Sequence, residues 1–387
     1  MLPGMSSPAA PRRTREITPE WLNAALAAGD HLGGASVTSV DVADIGAGVG
    51  FAGRALRLDI SYDRTDASLP ASLVLKLPSP DTGGRETINA MRGYELEGRF
   101  YEHLTERTPL RVPACYWSAV DIEGGAYGLL LEYLDGLRTG DQRASCTADE
   151  AETVVRSLAT MHAAWWDSEE LRASPWLPPF EETGAVWQQR SVAGLQPFIE
   201  TNSEWLPAGF AGTAEGIIER LGELQAVTVG SPRTLVHGDY RLENMMFGEP
   251  GGEHSLVIID WQLIGYGSGA YDLAYFIGQS LTVELRRSSE ARLLELYREM
   301  LGAAGVHDYS AEQLAEDYRR GLLAAMRIPL TGSGEFTRVR EEASRLTGAI
   351  REGYDAALQA GDALMRMIAE RNVAAIGDTN AQELLRS

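Results

Sequence analysis

The chain has 387 residues, enough for roughly two domains of ordinary size. Its 44% hydrophobic and 23% charged content excludes wholesale disorder. The excess of 55 acidic over 34 basic residues leaves a net charge of -21, which argues against nucleic acid as a partner.

Residues 1–16 read as a leader without the apolar core of a signal peptide, and Thr18-Pro19-Glu20 reads as a helix start. That helix ends near Gly29. From Val37 to Pro78 the texture turns to short β-rich runs. Ala55 to Ile60 alternates apolar and polar residues with the period of a half-buried strand. Ile45-Gly46-Ala47-Gly48-Val49-Gly50-Phe51 lies between two of these runs, where Gly46, Gly48 and Gly50 serve equally as a plain turn or as a place where backbone amides approach phosphates. The third run, Leu73 to Leu77, carries Lys76. Of the basic residues 33 are Arg, and Lys76 is the one Lys. Codon preference in a GC-rich genome explains the arginines and leaves open why one lysine remains. Leu77 follows it, so no Walker A motif is present.

Residues 85–107 have helical spacing, and two strands are expected near 112–120 and 126–133. Beyond Asp135-Gly136 the chain becomes helical. Thr147 with Glu150 makes a capping box for a helix reaching about Trp166, and Ser310 with Gln313 makes another for a helix near 311–328. A further long helix is expected over much of 335–372. The boundary between a β-rich lobe, 1–134 (leader and first helix 1–36, strands 37–134), and a helical lobe, 135–387, falls at 134–140. Two unequal lobes imply a cleft, a common place for ligands. No apolar run approaches the ~18 residues of a membrane span. Cys115 and Cys146 match no zinc-ligand spacing and fit a reducing compartment. A cytoplasmic protein with no membrane partner is expected.

Residues 235–262, LVHGDYRLENMMFGEPGGEHSLVIIDWQ, carry the chemistry. Phosphoryl transfer to a hydroxyl needs a carboxylate near the attacking oxygen and oxygen ligands that hold Mg2+ against phosphates. Asp239 follows His237-Gly238, Asn244 comes five positions after Asp239, and Asp260 ends the apolar run Leu256 to Ile259. A kinase catalytic loop sets an Asp base and an Asn metal ligand five residues apart with a second Asp downstream, and all three groups appear here in that order. Met246-Phe247 and Leu256–Ile259 read as a hairpin turning at Pro250-Gly251-Gly252, which would bring Asp260 back beside Asn244.

The pattern H-G-D-x-x-x-x-N followed by I-D-W resembles the aminoglycoside phosphotransferase and choline kinase superfamily. The continuation IDWQLIGYGSGAYDLAYFIGQSL is most similar to its ecdysteroid kinase-like branch. The resemblance runs from about Ile45 to at least Leu281, and residues 235–276 carry its specificity. It implies an α+β fold: a bilobal protein kinase-like fold, with a small antiparallel sheet lobe holding one inserted helix and a larger, mainly helical lobe. The nucleotide-binding lobe would be 1–134, and an acceptor-binding insertion would occupy 165–230. The resemblance also implies ATP or GTP and Mg2+ as cofactors and a small-molecule hydroxyl as acceptor.

Residue by residue, Asp239 takes the place of the catalytic base, with Asn244 and Asp260 as metal ligands. Lys76 would reach the nucleotide phosphates, held by Glu97 in the E-x-x-F-Y pattern Glu97 to Tyr101; Glu95 and Glu102 are alternatives. Glu132 and Leu134, in Gly128 to Leu134, resemble the hinge whose backbone pairs with the adenine edge. The chain departs from protein kinases at Gly238, at Trp261-Gln262 and in lacking an Ala-Pro-Glu segment, which favours a small acceptor over a protein side chain. A protein-directed kinase and a ligand-binding pseudokinase regulator are the competing functions. His237 reads as a structural brace. Asp272 reads as a third metal ligand or as a helix cap that ties down the catalytic loop, and Arg241 as a phosphoryl neutraliser or a surface residue. Trp165, Trp166, Trp176, Trp187 and Trp205 read as core or as the walls of a pocket for a ring-bearing, partly apolar acceptor such as a steroid, polyketide, glycoside or antibiotic.

Overall fold

Alternate leucines decide which face of the first sheet is dry. The computed structural model describes residues 7–45, 53–80, 82–121, 126–226, 231–252, 255–345 and 347–386. Gly46, Gly48 and Gly50 lie outside the described residues. The chain divides into two compact units: 1–107, 111–137 and 257–263 form the first, and 108–110, 138–256 and 264–387 form the second.

In the first unit, α1 (Pro19–Ala28) precedes β1 (Val37–Ile45), β2 (Gly53–Tyr62) and β3 (Ser72–Pro78). Thr18 caps α1 by accepting a hydrogen bond from the Trp21 amide, and Pro19 opens it. α2 (Thr82–Ala90) and α3 (Gly93–His103) follow, then β4 (Cys115–Asp121) and β5 (Ala126–Glu132). The strands form one antiparallel sheet in the order β1-β2-β3-β5-β4. Leu56, Leu58, Leu73, Leu75, Leu77 and Leu130 point to one face and bury against Leu22, Ala25 and Leu26 of α1. Each buried leucine contributes roughly 2 kcal/mol. Strand parity sends Lys76 to the other face, where α3 packs against β4 and β5. The periodicity predicts one helix over 85–107. The chain instead breaks it at Arg92, whose φ of +57° is incompatible with a continuous helix.

The second unit begins with β6 (Arg138–Thr139), α4 (Ala148–Ala164), α5 (Glu169–Ala173), α6 (Gly184–Asn202), α7 (Phe210–Glu219) and α8 (Leu221–Gln225). Short strands β7 (Thr234–Val236), β8 (Met245–Phe247), β9 (Leu256–Ile258) and β10 (Gly265–Gly267) flank the H-G-D loop. β7 pairs with β10 and β6 with β8, both antiparallel. The Gly248 amide donates to the Ser255 carbonyl and closes the expected turn. The remainder is α9 (Gly269–Ser280), α10 (Val283–Ala303), α11 (Ala311–Ala325), α12 (Arg327–Ala343) and α13 (Gly348–Asp378). The single helix expected over 335–372 comes as two, because the backbone turns through Gly348 at φ +63°.

Every residue of α9 is buried, the polar Asp272, Gln279 and Ser280 along with its apolar side chains. It packs on α11, where Gly321 meets the Ala274 methyl. α6 crosses α12 at backbone distance: a Cβ on Gly194 would lie 1.8 Å from the Leu330 carbonyl oxygen. Among the described residues no helix is long and apolar enough to cross a membrane. Cys115 and Cys146 are unpaired thiols, both pushed up to about 12 by burial.

Candidate active site

Lys76 and Glu97 meet in the first unit. The Lys76 Nζ donates to Glu97 Oε1 at 2.5 Å and to Asp260 Oδ1 at 3.1 Å. Burial on its own would discharge the lysine, but Asp260 and Glu97 raise its pKa above the ordinary value and keep it cationic. Glu97 is fully buried and has two further donors: the Tyr127 hydroxyl at 2.5 Å and Gln262 Nε2 at 3.1 Å, both to Oε2. With its lone pairs engaged on both oxygens, the carboxylate has one orientation. Glu95 instead pairs with Arg92, and Glu102 lies on the exposed side of α3 near Arg99 and His103.

Asp260 sits in the left-handed region at φ +66°, a conformation that concentrates at functional sites. Trp261 anchors the strained turn by stacking on Phe100, with ring centroids 3.8 Å apart and planes 7° from parallel. Thus Trp261 and Gln262, which depart from the protein-kinase sequence, both grip α3. Glu132 ends β5, and its carboxylate accepts from Arg111 Nη2 at 2.5 and 2.6 Å and from the Ala114 amide at 3.0 Å. Its side chain is therefore committed to Arg111. Leu134 lies two residues beyond the strand, half-buried.

The second unit holds the H-G-D loop. Gly238 has φ +81°, which favours glycine over the arginine of protein kinases. The Asp272 carboxylate accepts from the backbone amides of His237 at 2.7 Å and Gly238 at 2.9 Å, so it ties down the H-G-D loop. His162 Nε2 lies 3.5 Å from the same carboxylate, and His162 Nδ1 bonds the Tyr297 hydroxyl at 2.7 Å. His237 is buried and its Nδ1 accepts from the Asp239 amide at 3.3 Å, the bracing role expected of it. On the far side of the loop Gln142 accepts from the Leu242 amide and donates to the Gln279 carbonyl. Gly140 lets the backbones approach: a Cβ there would lie 2.2 Å from the Leu242 carbonyl oxygen.

Asp239 and Asn244 come together as the spacing suggested. Asn244 Nδ2 donates to Asp239 Oδ2 at 2.9 Å and to the Asp239 carbonyl at 2.8 Å, leaving its amide oxygen for other ligands. Arg241 Nε lies 3.3 Å from Oδ2, and Tyr275 donates to Oδ1 at 2.7 Å. Burial alone would raise the Asp239 pKa. The Arg241 charge, the Tyr275 hydrogen bond, His237 and Asn244 outweigh it and hold the carboxyl below its usual value. The result is an ionised carboxylate with fixed geometry. Arg241 also pairs with Glu243 at 2.8 Å.

Behind the loop stands Arg327, at the start of α12 and fully buried. It donates to the Gly238 carbonyl and to the Tyr271 hydroxyl, both at 2.9 Å, and lies 4.0 Å over the Trp187 ring. Trp165 is buried and donates to Thr108, Trp166 meets Tyr309 edge-on, and Trp205 donates to Asn202. Trp176 is half-buried. Tyr127, Gln142, His162, Tyr275 and Arg327 are neighbours of these residues that the motif does not contain. An i+3 spacing between Asp272 and Tyr275 on one helix was the available signal.

A two-unit kinase-like fold with a paired Lys–Glu in its sheet unit and an H-G-D loop in its helical unit defines a small-molecule phosphotransferase. A model of the ecdysteroid kinase-like family matches residues 47–305, and the chain belongs to that family. The resemblance read from the I-D-W-Q region is borne out at the level of superfamily and branch. No curated protein matches the chain. Among solved structures, a protein described as an aminoglycoside phosphotransferase from Ralstonia eutropha JMP134 is similar, with 18% identity and a TM-score of 0.53. The match covers 91% of this chain and 97% of that one, which supports the kinase-like fold. Choline kinase from Cryptosporidium parvum Iowa II (10% identity, TM-score 0.48, 88% and 92% covered) and Plasmodium vivax ethanolamine kinase (12%, 0.47, 86% and 83%) are also similar.

Proposed function

We propose that this protein transfers the γ-phosphoryl group of ATP or GTP to a hydroxyl of a small molecule. The observation that carries the reading is the Asp239 carboxylate, kept ionised and oriented by Asn244, Arg241 and Tyr275. A bond forms from the acceptor oxygen to the γ-phosphorus, the bond from phosphorus to the β–γ bridging oxygen breaks, and the hydroxyl proton passes to Asp239. Lys76, held cationic by Glu97, contacts the nucleotide phosphates. The backbone near Glu132 and Leu134 receives the adenine or guanine edge.

Asn244 and Asp260 are the proposed Mg2+ ligands. Both offer hard oxygen donors, and Asn244 Oδ1 is left available by the bonds made through Nδ2. Among the described residues no group of three or more His, Cys, Asp or Glu is placed to hold a metal ion. Mg2+ uses one or two carboxylates together with water and substrate phosphates, so this sparse set fits it. When bound, the ion would neutralise charge on the transferring phosphates.

For the acceptor we propose a ring-bearing natural product or antibiotic. The similar Ralstonia protein is described as an aminoglycoside phosphotransferase, which supports that class. The unpaired thiols of Cys115 and Cys146 support a cytoplasmic setting. The test is a nucleotide-consumption screen against hydroxylated natural products and antibiotics, with Mg2+ present and chelated. Consumption should depend on acceptor and Mg2+, and Asp239→Asn should bind nucleotide normally while losing about 100-fold or more in turnover. Full phosphorylation of the acceptor by that variant would sink the assignment.

A further inference from the structure

We propose that Tyr275 is a positioning residue for phosphoryl transfer, its hydroxyl setting the orientation in which the Asp239 carboxylate meets the acceptor. The inference rests on the phosphotransferase reading and adds to it a residue outside the catalytic motif.

The two oxygens of Asp239 are held differently. Oδ2 has Asn244 and Arg241, both from within the loop, only five and two residues away. Oδ1 has the Tyr275 hydroxyl at 2.7 Å, from 36 residues along the chain. Donors on opposite oxygens fix rotation about the bond that carries the carboxylate, which one donor alone does not. Burial and the neighbouring Asp239 charge hold the Tyr275 phenol well above its ordinary pKa, so it remains a donor.

Tyr275 itself cannot be held loosely. It is 1% exposed on α9, a helix buried along its whole length. Its ring stacks 11° from parallel on Tyr271, with centroids 6.1 Å apart. The Tyr271 hydroxyl accepts from Arg327, which also grips the Gly238 carbonyl. One turn before Tyr275, Asp272 holds the loop's backbone amides. A single face of α9 therefore fixes the loop backbone through Asp272 and the reactive side chain through Tyr275. The Asp239 side chain is 17% exposed and reachable. Tyr275 is not, so it acts through Asp239 and never on the acceptor.

Tyr275→Phe in the full chain removes one oxygen and keeps the ring. Turnover is measured with Mg·ATP and water as the acceptor, and crystals of both proteins are grown with Mg·AMP-PNP. The expected result is a kcat lower by about 10- to 100-fold with the KM for ATP within about twofold of wild type. In crystals the Asp239 carboxylate should turn from its wild-type position. Added to Asp239→Asn, the substitution should cause no further loss, because its effect passes through the carboxylate. A kcat within about twofold of wild type, equal losses in both backgrounds, or an unmoved carboxylate would overturn the proposal. A wild-type protein that consumes no ATP with water or with any screened acceptor removes the phosphotransferase reading by itself. The position of Asp239 in the crystals then still decides whether Tyr275 holds it.

Discussion

Asp272 shows how much of this site depends on a residue that performs no chemistry. A fully buried carboxylate is costly unless its oxygens are satisfied, and here two backbone amides donate to it, one to each oxygen. Asp272→Asn would turn an amide group toward one of those N–H donors and lose the charge that both bonds use. We expect a loss of about 2 kcal/mol in stability by urea denaturation, with loss of activity at temperatures where the fold persists. The main motif residues were legible because the family pattern sets their order and spacing within 24 positions, His237 to Asp260. Lys76 was legible for another reason: it is the one exception to the chain's use of arginine. Tyr275 and Arg327 were not. They reach Asp239 and Gly238 from 36 and 89 residues away, and their side chains read as ordinary helix residues until the helices are placed.

At the scale of elements, capping chemistry was a good guide to helix starts and a poor guide to breaks. Thr18, Thr147 and Ser310 each cap a helix as expected, because a hydroxyl beside free amides is a local interaction. The breaks at Arg92 and Gly348 depend on positive φ, which tertiary packing imposes and local composition does not announce. The same distinction applies to α6 and α12, whose close crossing depends on glycines that otherwise look like helix weaknesses. Gly194→Ala would place a methyl against the Leu330 carbonyl, and neither backbone can yield without separating the helices. We expect a loss of roughly 1–3 kcal/mol, read as a lower Tm. Because α12 begins with Arg327, which holds Gly238, turnover should also fall by more than the folded fraction explains. An unchanged kcat per folded molecule would show that α12 does not transmit position to the loop.

For the whole molecule, the -21 net charge is a self-repulsion that every folded copy carries. Exposed ion pairs such as Arg292 with Glu295 contribute little each, so screening them removes little. Raising NaCl from roughly 0.02 to 0.5 M should therefore raise Tm by a few degrees, where a protein of near-zero net charge would show none of that gain. A Tm that falls with salt would mean that pairing outweighs repulsion. Lys76 has a consequence of another kind. It is the sole side-chain amine in 387 residues, and it is shielded and held protonated between Glu97 and Asp260. Acylating dyes, cross-linkers and activated resins need an unprotonated amine. On the folded protein they should find almost no side-chain target, and any lysine adduct that does form reports on the Lys76–Glu97–Asp260 cluster alone.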